Sequence, residues 1–92
     1  MKAPALLADA KEAQWLLGNA MRSHKLGVAI THLEDLAVRS TGSSAHHSLI
    51  WALGAAGRAA ASDEGQGYAC LLDCAAGHLD AAIVQLRAEA AH

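Results

Sequence analysis

The sequence predicts an all-α fold, a single domain of four helices packed as an antiparallel bundle. Three observations carry that prediction. Apolar residues recur at helical spacing along almost the whole length, and no stretch alternates as a strand would. Alanine and leucine dominate while proline occurs once, so intrinsic preference agrees with the period. Two loops rich in Ser and Gly, at Ser40–Ser44 and Ser62–Gly67, divide the chain where the periodic patterns stop. The expected helices span roughly 4–24, 27–40, 44–61 and 63 or 67 to 90.

The first helix starts near Pro4, whose missing N–H costs nothing in a first turn. Asp9 and Glu12 lie toward its positive end and Arg22, His24 and Lys25 toward its negative end, as the helix dipole favours. Its inward stripe is Leu6, Ala10, Ala13, Leu17, Ala20 or Met21, and His24. Gly27 marks a turn or bend before a second helix that faces inward with Leu26, Ala29, Ile30, Leu33, Leu36 and Ala37. Ser43 or Ser44 is expected to cap the third helix, with Leu49, Leu53, Ala56 and Ala60 inward. Ser62 is a candidate cap for the fourth, although Gly65 and Gly67 favour a start nearer 67.

The fourth helix has two opposed apolar seams, each stepping by four and three. The bulky seam, Leu72, Ala76, Leu79, Ile83, Leu86 and Ala90, suits the chain's own core. The second, Cys70, Cys74, Gly77, Ala81, Val84 and Ala88, is made of small side chains that let another backbone come close. It is either internal packing in the middle of the bundle or a contact with a second chain, a homodimer included.

Two helical segments share the pattern W-x-L-G-x-A-x-R, at Trp15–Arg22 and Trp51–Arg58, and Leu26, Ala29, Ile30 and Leu33 match Leu79, Ala82, Ile83 and Leu86. The bundle therefore reads as two similar helical hairpins. Leu17, Gly18, Asn19 and Ala20, followed by Ala29, Ile30 and Leu33, resemble the small and large positions of a tetratricopeptide-type hairpin over about thirty residues. The spacing is one residue short and the repeat's closing proline is missing, so what the resemblance implies is a way of packing and a protein-binding role.

Composition narrows the function. Ninety-two residues hold one domain, and 23 alanines with no Phe give it a thin core of short side chains. Net charge is −2 and the seven Lys and Arg are scattered, so the basic footprint of a nucleic-acid binder is missing. The longest unbroken apolar run, Leu49–Gly57, is nine residues, short of the ~20 of a membrane span. A cytoplasmic protein of bacterial or phage type is the expectation, with Cys70 and Cys74 reduced.

The candidate partner-binding residues are Trp15, Arg22, His47, Trp51 and Arg58. Each Trp lies ~160° around its helix from an inward Leu, with an Arg seven residues on, and Trp and Arg are the side chains most enriched at binding hot spots. Shielding of a thin bundle edge is the competing role for both rings. Cys70, Cys74 and His78 drift along one face within reach of a soft metal, with Asp73 and a second-chain ligand to complete the set, but four ligands are not evident, plain packing of the two thiols is the preferred reading, and no metal is expected. His47-Ser48-Leu49 is similar to the His-x-Leu of histidine phosphotransfer domains, but Ile50 and Trp51 occupy the Lys and Gly positions that such domains use for phosphate and partner. No nucleophile–base set and no phosphate loop is present, so neither catalysis nor a cofactor is expected. The expected function is protein–protein binding by a small regulator, adaptor or inhibitor, with a Cys/His metal-binding bundle and a degenerate phosphotransfer module as alternatives.

Overall fold

In the computed structural model the described residues are 3–23, 26–62 and 66–91, with 21–23 and 66 described by backbone alone. Four helices account for them, and no strand occurs among them: α1 Ala3–Ser23, α2 Leu26–Arg39, α3 His46–Ala61 and α4 Gln66–Ala90. Helix α1 packs on α2 and α4, and α3 packs on the same two, while among the described residues the diagonal pairs have no close backbone approach. That is a square up-down-up-down bundle, 42 × 19 × 18 Å. The α1–α4 contact closes it, where a tetratricopeptide-type array would leave its ends open.

The core is what the periodicity of three helices dictates. Leu6, Ala10, Ala13, Leu17 and Ala20 of α1 are buried, as are Leu26, Ala29, Leu33, Leu36 and Ala37 of α2 and Leu72, Leu79, Ile83 and Leu86 of α4. Ala75 and Ala82 widen the buried face of α4 toward its neighbours. Helix α3 is rotated from expectation. Its buried face is Ala45, Ser48, Leu49, Ala52, Ala55, Ala56 and Ala59, while Leu53 is only half-buried and Ala60 is exposed. The reason is physical: α3 touches two neighbours through alanines, and Ser48 goes inward because its Oγ donates to Gln85 Oε1 of α4 at 3.0 Å.

The helix ends also differ. Gly27 lies in the first turn of α2, where its carbonyl accepts from Thr31 Oγ1 at 2.9 Å. Ala45, not a serine, precedes α3, and it makes no side-chain cap. Ser43 and Ser44 instead donate their hydroxyls to the Glu89 carboxylate at 2.7 and 2.6 Å, pinning the loop to the end of α4. Gly42 has a φ of 90°, the left-handed conformation that lets the loop reverse direction there. Ser62 ends α3, donating to the Ala59 carbonyl at 3.0 Å, rather than opening α4. Asp63, Glu64 and Gly65 lie outside the described residues.

Polar ties cross three of the four helix pairs. Arg39 of α2 pairs with Asp9 of α1 and with Asp35 one turn back at 2.8 Å. The bond from Arg39 to Asp9, helped by Asp35, raises the guanidinium's pKa above its ordinary value. Gln14 of α1 donates to Asp80 of α4. Ser40 is fully buried between helix end and loop, with its Oγ 3.0 Å from the Ala37 carbonyl and 3.0 Å from His46 Nδ1. A hydroxyl has one proton, so when it donates to Ala37 the ring nitrogen supplies the other hydrogen.

The loop tie predicts a pH dependence. The two serine bonds hold the Glu89 carboxyl below its ordinary pKa. A depressed carboxyl stabilises the fold above the unfolded value of about 4.3 and loses that contribution as pH falls through the lower folded value. Glu89→Gln is expected to lower the melting temperature by a few degrees at pH 7, a cost of about 1 kcal/mol. The gap between variant and wild type should close below about pH 4, and an equal gap at both pH values would refute the tie.

Candidate functional site

The groove between α3 and α4 is the strongest candidate. It holds a cavity of about 370 Å³ walled by Ile50, Trp51, Gly54, Ala55 and Arg58 from α3 and by Leu71, Cys74 and His78 from α4. Its origin is the rotation of α3. In α1 the W-x-L-G motif puts Leu17 in the core and Trp15 straight outward, 66% exposed. In α3 the core turns toward Ala52 and Ala55, so Trp51 swings to the α4 side while staying 59% exposed. The same eight-residue pattern therefore sits at two phases, and its second copy builds a groove wall.

Trp51 is held by aromatic neighbours. The His78 ring centroid lies 5.5 Å away at 59°, His47 lies 6.3 Å away at 34°, and His46 continues the row 6.0 Å beyond His47. The tilted Trp51–His78 pair spans the groove and fixes the height at which α3 and α4 register. Glycine at 54 keeps the α3 wall low beside the indole. Arg58 is exposed at one end of the groove, with no hydrogen-bond or ion-pair partner among the described residues. Cavities of 300–1,000 Å³ suit ligands of drug size, and this one is a half-open cleft between two helices.

The small seam of α4 lies on the surface beside this groove. Cys70, Cys74, Gly77, Ala81, Val84 and Ala88 are all exposed, Val84 at 63%. Burial of that seam inside the bundle is thereby excluded, because α1 and α3 cover only the opposite side of α4. Gly54 and Gly57 of α3 are exposed too, and a Cβ at Gly54, Gly57 or Gly77 would meet nothing within 4 Å.

The five expected partner-binding residues do not form one patch. His47, Trp51 and Arg58 share the outer side of α3, whereas Trp15 stands on α1, the diagonal helix. The side chain of Arg22 lies outside the described residues. Ile50 and Leu71 belong to the groove and were not singled out from the sequence. Their spacing gave no signal, since the groove depends on how α3 turns against α4.

The alternative metal set, Cys70, Cys74 and His78, does not assemble among the described residues. Among the described residues no three His, Cys, Asp or Glu side chains are placed to hold an ion. Cys70 and Cys74 are free and exposed, and His78 turns onto Trp51. By length and composition alone, helix α4 over Gly67–Ala90 could cross a membrane, its most apolar 18-residue window having a mean hydropathy of 1.3. That length arises because two seams and few charges share one helix, a feature the count of unbroken apolar runs misses. No protein-family model, curated protein or solved structure matches the chain significantly.

Proposed function

We propose that the chain is a small non-catalytic helical protein acting by protein–protein contact, a regulator, adaptor or inhibitor working in the cytoplasm, and that the α3/α4 face makes the contact. The observation that carries this reading is Trp51, a large ring left more than half exposed on the wall of an open apolar groove. Around it lie Ile50, 43% exposed, and the uncharged seam of α4. Interfaces concentrate aromatic and Arg anchors at a centre depleted of other charges, and Arg58 is the one fixed charge of the groove wall. The outer face of α2, by contrast, carries Glu34 and Asp35, and that of α1 carries Lys11 and Glu12.

Site-specific photo-crosslinking in living cells tests the reading. A photoreactive residue at Ile50 or at Val84 is expected to trap the same partner, since both positions belong to one face. The same residue at Glu34 should trap none. Equal trapping from Glu34, or different partners from Ile50 and Val84, would sink it.

A further inference from the structure

We propose that the groove between α3 and α4 is a binding site for a small organic carboxylate, its flat apolar body against Trp51 and His78 and its carboxylate on Arg58. The inference goes beyond the reading of this face as a docking surface, because the ligand needs the groove alone and no second protein.

Three observations carry it. The first is room. The cavity of about 370 Å³ falls in the size range of small-molecule sites. Buried Ala55 and half-buried Leu71 form its inner side, so a ligand there lies against the packed core. The chain leaves the space beside Gly54 open, since a Cβ built there would meet nothing within 4 Å. The second is the aromatic end. The Trp51 and His78 rings stand 5.5 Å apart at 59°, and the indole keeps more than half its surface free. An exposed indole face next to a tilted ring suits a planar group, which can stack on one and meet the edge of the other. The third is charge. Arg58 is the one permanent charge among the lining residues, and no Asp or Glu lines the cavity. It has no hydrogen-bond or ion-pair partner among the described residues. A cationic ligand would be repelled by it, whatever the rings offered in cation–π attraction. A carboxylate fits, because the planar guanidinium can take both its oxygens.

Spacing sets the length of the ligand. Arg58 follows Trp51 by seven residues, so the two share one face of α3 about 10 Å apart along its axis. A flat aromatic acid of roughly that length reaches from the ring pair to the guanidinium. Inorganic phosphate finds one cation and an otherwise apolar wall, and so serves as the negative control.

The probe is trans-cinnamate, with cinnamyl alcohol as its uncharged analogue, titrated into the nitrogen-15-labelled full chain. The chain has two Trp residues, so two indole N–H resonances report on it, and Trp15→Phe assigns them. Cinnamate is expected to shift the Trp51 signal saturably with a Kd of about 1 mM or tighter, the strength open to so small a ligand. The Trp15 signal on α1 should stay in place, and phosphate should move neither. Arg58→Gln should weaken cinnamate about three- to tenfold and leave the weaker binding of the alcohol unchanged. Gly54→Leu fills the open space and should abolish the shift while far-UV circular dichroism stays the same. The thiols locate the site independently: Cys74 lines the groove and Cys70, one turn away, does not. In chains carrying Cys70→Ser or Cys74→Ser, saturating cinnamate should slow alkylation of Cys74 by iodoacetamide severalfold and spare Cys70. A Trp51 signal that does not saturate below about 10 mM overturns the proposal. Equal binding of acid and alcohol, an Arg58→Gln chain that binds like wild type, or equal protection of both thiols overturns it too. The crosslinks from Ile50 and Val84, made without cinnamate, test the docking reading separately. Trapping without a cinnamate shift leaves the docking face and removes the ligand site, and a cinnamate shift without trapping does the reverse.

Discussion

Leu79→Ala is expected to cost about 2–5 kcal/mol, enough to lower the melting temperature by well over 10 °C in a domain of this size. Leu79 is fully buried near the middle of α4, the helix that packs on both α1 and α3. Its buried neighbours along α4, Ala75 and Ala82, have no rotamers with which to reach into the void. A cavity that cannot collapse puts the cost at the upper end of the range for such changes. The chain has little reserve, because a domain of ~90 residues with short core side chains buries little apolar area per residue. Leu33→Ala in α2, equally buried, should behave alike. Thermal melts followed by far-UV circular dichroism measure both, and a loss below 1 kcal/mol at either site would mean that the Leu layer is not what holds the bundle.

The core of α1, α2 and α4 was legible because each buries one leucine-bearing stripe, and leucines recur there at a spacing only a helix explains. Helix α3 was misread for the converse reason. Its buried face is mainly alanine, and its exposed face also carries Ile50, Trp51 and Ala60, so hydrophobicity alone does not fix its phase. The deciding groups are polar: Ser48 reaching Gln85, and Ser43 and Ser44 reaching Glu89 from 45 or more residues away. Such pairings follow from three-dimensional registry that no local pattern encodes. The same holds for the site. Trp51, His47 and Arg58 stood out by residue type, but their separation from Trp15, and the participation of Ile50, Leu71 and His78, come from the turn of α3 against α4.

The replacement Gly54→Ala/Gly57→Ala/Gly77→Ala is expected to stabilise the chain. Each glycine sits inside a helix, where it costs about 0.5–1 kcal/mol relative to alanine. Each is exposed, and an added methyl meets nothing within 4 Å on its own chain. The fold should therefore gain about 1.5–3 kcal/mol from the three together, a rise in melting temperature of roughly 10 °C. A variant that melts lower than wild type would show that the glycines serve packing within the chain.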